Sequence, residues 1–229
     1  MTHTAFPRGF FVTGTDTGVG KTHVAVALLK ALSRAGARTA GMKPVASGCE
    51  LRGGRLVNDD ALALQAASSI DVTYDQVNPY AFAPAIAPHV AARQAGVAIE
   101  LSRVRSCFSA LAARADCVIV EGAGGWLVPL GPEETMANLA AELGLPIVLV
   151  VGMRLGCINH ALLTARAIES SGQRLAAWVA NDTGPAMRER AASFAAVAER
   201  LEAPCLADLA WQQNSNLDSI ASHCLAISF

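Results

Sequence analysis

Nine residues near the start of the chain, Gly14-Thr15-Asp16-Thr17-Gly18-Val19-Gly20-Lys21-Thr22, combine glycines, a lysine and a hydroxyl in the order a phosphate-binding loop needs. Glycines let backbone N–H groups turn toward phosphate oxygens at the N-terminus of the following helix. Lys21 can reach the β- and γ-phosphates, and the Thr22 hydroxyl can ligate Mg²⁺. A strict G-x4-G-K-[ST] match needs glycine at 15; Thr15 stands there, with Gly14 one residue earlier. Farther on, Met42-Lys43-Pro44-Val45-Ala46-Ser47-Gly48 offers a second cation and a serine hydroxyl. A second cation can neutralise charge that develops as a phosphoryl group moves between two oxygens. Glu121 directly follows the apolar run Cys117–Val120, where P-loop proteins place an acid on Mg²⁺, and Gly122-Ala123-Gly124-Gly125 permits close backbone approach to a ligand.

Other groups carry two readings each. Asp59 and Asp60, after Asn58, either serve the same metal or cap the helix patterned by Ala61, Leu62, Leu64 and Gln65. The stretch Gly152 to His160 presents backbone N–H groups ahead of a helix, suited to a carboxylate, and reads equally as a plain strand-to-helix turn. Asn181-Asp182 offers a side-chain amide for a base edge or an ordinary turn. His89 and His160 read as capping or packing residues.

The elements that must position these groups alternate between short β-rich runs and segments of helical periodicity, the pattern of a parallel α/β sheet. Phe10–Thr13 is the first strand. Val24, Ala27, Leu28, Ala31 and Leu32 then share one helical face until Gly36. Further strands are expected at Arg38–Met42, Cys117–Val120, Pro146–Val151 and Leu175–Ala180, with late edge strands at Pro204–Leu209 and Cys224–Ile227. Helices are expected at Leu101–Ala113, Met136–Leu143 and His160–Ser170. Near-continuous apolar strands imply helices on both faces of the sheet. Three prolines in Asn78–His89 argue against a regular element there. Ligands of such a sheet bind beyond the carboxyl ends of its strands, where all the candidate groups fall.

Composition removes several function classes. With 18 Lys+Arg against 19 Asp+Glu, the formal charge of −1 provides no broad basic field for nucleic acid or an anionic membrane. At 229 residues and 52% hydrophobic the chain is not disordered, and no linker or repeat divides it, so one domain is expected. No apolar run approaches the roughly 20 residues of a membrane span. Met1–Gly9 lacks the pattern of an export signal, and a cytoplasmic location is expected. The six cysteines, Cys49, Cys107, Cys117, Cys157, Cys205 and Cys224, contain no CxxC pair and read as reduced thiols.

Taken together the motifs resemble the dethiobiotin synthetase family, ATP-dependent enzymes of biotin synthesis. The carriers are GTDTGVGKT at 14–22, AGMKPVASG at 40–48, DALALQ at 60–65, VNPYAF at 77–82, VEGAGGW at 120–126, VVGMRLGCINHALLTA at 150–165 and WVAND at 178–182. In that family the displaced glycine of the phosphate loop is usual. The resemblance implies a single P-loop NTPase-like α/β domain over 1–229. Its activity would be Mg²⁺-dependent carboxylation and ring closure of 7,8-diaminononanoate (7,8-diaminopelargonate) with CO2 or bicarbonate and ATP, giving dethiobiotin, ADP and phosphate.

The same resemblance implies residue roles. Gly18, Val19, Gly20, Lys21, Thr22 and His23 surround the phosphates, and Thr22, Asp60 and Glu121 hold the metal. Lys43 and Lys21 are the catalytic cations. Thr15 and Ser47 lie near the carbamate, and Gly122, Ala123 and Gly124 bring backbone against the bound molecules. Asn181 and Asp182, with Ala210, Trp211 and Gln212, meet the adenine; the family usually has proline where Ala210 stands and an acid that is absent at Leu217. Gly156, Cys157 and Asn159 hold the substrate carboxylate from the neighbouring subunit of a homodimer. Two other ATPase classes compete. A ParA/MinD-like switch wants a second lysine early in the loop, where Gly-Thr-Asp-Thr stands, and a cobyrinate amidotransferase-like ATPase wants a glutaminase domain for which the chain has no room.

Overall fold

The computed structural model describes residues 6–185, 187–210, 220, 222, 224 and 226. In chain order its elements are β1 (Gly9–Gly14), α1 (Lys21–Arg34), β2 (Thr39–Met42), β3 (Val45–Ser47), β4 (Glu50–Arg52), β5 (Arg55–Val57), α2 (Asp59–Ala67), α3 (Tyr74–Val77) and β6 (Tyr80–Phe82). There follow α4 (Pro88–Gln94), α5 (Leu101–Ala112), β7 (Cys117–Glu121), α6 (Met136–Leu143), β8 (Ile147–Gly152), α7 (Cys157–Ser170), β9 (Leu175–Asn181), α8 (Arg190–Ala198) and β10 (Cys205–Leu209).

Six strands form one sheet in the order β10-β9-β8-β1-β7-β2, and every pairing within it is parallel. This is the α/β, mainly parallel P-loop NTPase-like architecture read from the sequence. Successive strand residues point to opposite faces, and both faces are covered. Val148, Val150, Ala177 and Val179 enter the larger apolar cluster with α1. Leu149, Val151, Trp178 and Ala180 enter a second cluster with Cys157, Ala161 and Ala165 of α7 and Val197 of α8. The covered faces explain the unbroken apolar strand runs. In α1 the buried residues include Val24, Ala27, Leu28, Ala31 and Leu32, the face given by the spacing.

Three expectations change. The tail read as a strand at Cys224–Ile227 is helical at Ile220, Ser222, Cys224 and Ala226, while Ile227 lies outside the described residues. Four apolar residues in a short window fit either element, and periodicity cannot choose between them. The proline-rich stretch contains the strand β6, paired in parallel with β3, and its last proline opens α4 at a position where a missing N–H costs nothing. Neither Asp59 nor Asp60 caps α2: Asn58 does, accepting the Ala61 N–H at 3.3 Å. Both acids therefore keep their carboxylates for other uses. The sequence reading also passed over the hairpin β4–β5, whose turn residues Gly53 and Gly54 have φ of 60° and 80°, as a tight hairpin turn requires.

Candidate functional site

Because all six strands run the same way, their carboxyl ends share one edge, and the candidate groups come from four of these ends. β1 ends at the phosphate loop, β2 at Lys43, β7 at Glu121 and β9 at Asn181. Gly20 closes the loop at φ 87°, and a Cβ there would lie 2.1 Å from the Asn181 amide nitrogen, so glycine is needed for both conformation and space.

A cavity of about 750 Å³ opens beside the loop. Lys21, Thr22, Lys43, Asp60 and Glu121 line it together with the apolar Ile86, Pro88, Val128 and Pro129. Ser47 also lines it; its Oγ is buried without a hydrogen-bond partner among the described residues, which leaves it available to what fills the cavity.

The charged groups of the lining are tightly interlocked. Lys43 Nζ lies 2.5 Å from Glu121 Oε1 and 3.2 Å from Asp60 Oδ2, and donates to the Gly122 carbonyl at 3.4 Å. Thr22 donates its hydroxyl to the same Glu121 oxygen at 2.9 Å. Lys43 is 5% exposed and Glu121 is 1% exposed. Burial works against the charged lysine, yet Glu121 and Asp60 outweigh it and raise the Lys43 pKa. The converse holds at Asp60, where burial is overcome by Lys43 and by the Thr22 hydroxyl, and the carboxyl is held below its usual range. Among the described residues Lys21 has no anion so close. Its Nζ donates to the Asp16 carbonyl at 2.9 Å, and burial followed by repulsion from Lys43 pushes its pKa down to about 8.

Asp59 points elsewhere: its carboxylate is exposed and paired with Arg52 at 2.9 Å. The structure also supplies a group that the sequence reading passed over. Asn78, 3% exposed, donates its amide to the Lys43 carbonyl at 2.6 Å and to the Tyr80 carbonyl at 3.2 Å. It accepts from the Tyr74 hydroxyl at 3.0 Å, and the Lys43 N–H donates to the Val77 carbonyl at 2.8 Å. The backbone that carries Lys43 is thus pinned on both sides. Within VNPYAF the amide was legible only as a loop residue, because its partners are backbone atoms distant in sequence.

Other predicted residues fall around the cavity or away from it. Gly18, Gly20, Ala123 and Gly124 line it, and Gly122 meets Lys43 through its carbonyl. Val19 is buried and His23 is exposed at the loop's outer side. Thr15 does not reach the cavity wall; its hydroxyl accepts from the Gly152 N–H at 3.5 Å. Asn181 donates to the Val19 carbonyl at 2.8 Å, and Asp182 is ion-paired with Arg190 at 2.7 Å. Ala210 follows β10, half-buried; Trp211 and Gln212 lie outside the described residues.

Gly156, Cys157 and Asn159 are also away from the cavity. Cys157 is buried and its N–H donates to the Arg154 carbonyl at 2.9 Å, while Gly156 and Asn159 are exposed. Arg154 pairs with Asp16 at the tip of the phosphate loop. His160 is exposed rather than packed, and Gly156 holds the capping position. All six cysteines are free thiols.

With this geometry, comparisons with known proteins agree on the fold and on a family. A family model described as an AAA domain matches residues 8–218. The ATP-dependent dethiobiotin synthetase BioD of Pseudomonas aeruginosa (strain UCBPP-PA14) is 54% identical over 215 residues, covering 93% of this chain and 94% of that protein. The protein of that name from Aromatoleum aromaticum is 52% identical over 200 residues, 87% of this chain and 89% of its own. Among solved structures, a ParA family ATPase from Chlorobium tepidum TLS aligns with a TM-score of 0.55 at 15% identity, over 96% of this chain and 90% of that one. The MinC:MinD cell division protein complex of Aquifex aeolicus aligns with a TM-score of 0.56 at 16% identity, over 94% of this chain and 86% of that one. At such identities these two likenesses concern the fold alone.

Proposed function

Because the chain belongs to the dethiobiotin synthetase family, we propose that it carries out, as one P-loop domain, the ATP-dependent carboxylation and ring closure of 7,8-diaminononanoate with CO2. It is an ATP-dependent ligase of biotin biosynthesis. The observation that carries the finer reading is the mixed lining of the cavity. Cations and acids line it together with apolar side chains, which suits a polyphosphate meeting an aliphatic diamine.

The donor set also fits Mg²⁺. Thr22, Asp60 and Glu121 provide only oxygen ligands, and Glu121 Oε2 is buried without a partner among the described residues. When bound there, the metal would supply charge neutralisation at the β- and γ-phosphate oxygens.

The chemistry asked of the protein is positioning and charge compensation. One substrate amine takes up CO2 as a carbamate, losing a proton. A carbamate oxygen attacks the γ-phosphorus and ADP leaves, which gives a mixed carbamic–phosphoric anhydride. The second amine attacks the activated carbon, phosphate departs with that oxygen, and the cyclic urea remains. Lys21 holds the phosphates, and Lys43 trades its carboxylate partners for the transferring phosphoryl group. Ser47 directs its unpartnered hydroxyl to the carbamate, and Asn78 keeps Lys43 in register. No covalent nucleophile is required.

A second copy of the chain completes the substrate's far end. Arg154 to Asn159 stands outside the cavity of its own chain, and Leu155 and Leu163 are 92% and 57% exposed. A two-fold dimer that buries them brings that segment to the partner's site. No helix among the described residues is long and apolar enough to cross a membrane, and a cytoplasmic location belongs to the same proposal.

The test is to mix protein, MgATP, bicarbonate and the diamine and to seek the cyclic urea by mass spectrometry. Its diamine-dependent appearance supports the proposal. Phosphate release that ignores the diamine favours a ParA/MinD-like switch instead.

A further inference from the structure

At the far end of the same edge, three charged groups form a cluster that the reaction above does not use. Arg190, the first residue of α8, donates its Nε to both carboxylate oxygens of Asp182, at 2.7 and 2.9 Å. Its terminal nitrogens reach Asp208 on β10, one contact being 3.1 Å. Side-chain exposure is 5% for Asp182, 19% for Arg190 and 44% for Asp208. The arginine thus ties the end of β9 to β10, an attachment strengthened by the Asp182 N–H donating to the Leu209 carbonyl at 2.9 Å.

An arginine at a helix N-terminus opposes the helix dipole. Glu189, just before it, sits at φ 57°, a left-handed conformation costly for a side chain of that size. Neither feature stabilises α8 by itself. Both are explained if the guanidinium must stand between the two carboxylates.

The residue adjacent to Asp182 shows what the clamp holds. Asn181 is 6% exposed, donates one amide N–H to the Val19 carbonyl at 2.8 Å and packs against Gly20. That bond fixes the plane of the amide. The second N–H and Oδ1 then match the N7 acceptor and 6-amino donor of adenine, whereas guanine presents an acceptor at both positions. We infer that Arg190 is a positioning residue for nucleobase selection: through Asp182 it holds Asn181 in the orientation that prefers adenine over guanine. This rests on the reading of the phosphate loop as the nucleotide site.

The experiment compares Asn181→Ala, Arg190→Gln, the double variant and Arg190→Lys, with ATP and with GTP at saturating diamine and bicarbonate. Asn181→Ala should raise KM for ATP by about tenfold and narrow the ATP/GTP ratio of kcat/KM. Arg190→Gln should do the same with kcat nearly kept, the double variant should be no worse than Asn181→Ala, and Arg190→Lys should recover part of the preference. A merely structural arginine predicts a lower kcat for both nucleotides with KM and selectivity unchanged, and that result overturns the inference. So does an additive double variant. If Asn181→Ala itself changes neither KM nor selectivity, the base reading fails and the inference falls with it, while diamine-dependent urea formation still measures the proposed function separately. Should Arg190→Gln not fold, Asp208→Asn removes only the exposed half of the clamp. It should shift KM and selectivity the same way by less, and no shift there overturns the inference.

Discussion

At the phosphate end of the edge, Lys43 and Glu121 are buried, share a short ion pair and are braced by Thr22, Asp60 and Asn78. In the segment after β8, Arg154, Leu155 and Gly156 are exposed, and the cavity is lined by none of them. The two regions leave the same sheet on opposite sides of β1: β8 is its neighbour on one side, and β7 followed by β2 lie on the other. In the reaction proposed above, their difference in burial corresponds to two kinds of work. Charge compensation for phosphoryl transfer needs fixed dipoles and excluded water, which one chain provides through its own strand ends. Holding a distant carboxylate asks only for backbone donors on a surface, and a second chain can bring these.

The largest effect should come from the buried region. Lys43→Ala should lower kcat by about 10²–10³-fold. It also leaves Glu121 buried without its cation, which costs about 3–5 kcal/mol and should appear as a fall in Tm, so turnover is read well below the variant's Tm. Near-normal kcat would remove the contrast by making the buried pair a structural one.

The exposed region is tested by complementation. Gly156 has φ 96°, so Gly156→Val strains the segment without touching the cavity. Chains carrying Lys43→Ala or Gly156→Val should each be nearly inactive. After subunit exchange at equal amounts, half the dimers are hybrids with one intact site of two, so about a quarter of wild-type activity should return. No recovery after proven exchange would place the carboxylate pocket within one chain.

Two smaller effects sharpen the boundary between bracing and surface. Asn78→Ala frees the backbone behind Lys43 and should cost about ten- to a hundredfold in kcat, with KM for ATP little changed. Asp59→Asn removes only an exposed pair with Arg52 and should alter kcat less than about twofold and stability by less than about 1 kcal/mol. A large loss from Asp59→Asn would move the metal-binding acid from Asp60 to its neighbour.

The contrast also marks what could be read from the sequence. Strands β1, β7, β8 and β9 and the helix α1 were legible because burial on both sheet faces leaves unbroken apolar runs, and because the face of α1 repeats at 3.6 residues. Thr22, Lys43 and Glu121 were legible as neighbours for a related reason: strand ends in a parallel sheet converge, so residues 99 apart meet at 2.9 Å, whereas Asp60, on α2, was singled out from Asp59 only by the family resemblance. What stayed hidden depends on partners that no local pattern encodes. Asn78 serves the backbone of Lys43, and Arg190 joins two acids on different strands. The strand β6 escaped notice because proline argues against regular structure, although its three residues, Tyr80–Phe82, fit between Pro79 and Pro84.

In the proposed reaction one site passes an oxygen of CO2 to the γ-phosphate on the way to ring closure. That transfer is tested by supplying ¹⁸O-labelled bicarbonate with MgATP and the diamine, quenching before the label exchanges with water, and weighing the released phosphate. One ¹⁸O is expected in the phosphate, only when the diamine is present and in step with the cyclic urea. Unlabelled phosphate, or label that appears without the diamine, would contradict it.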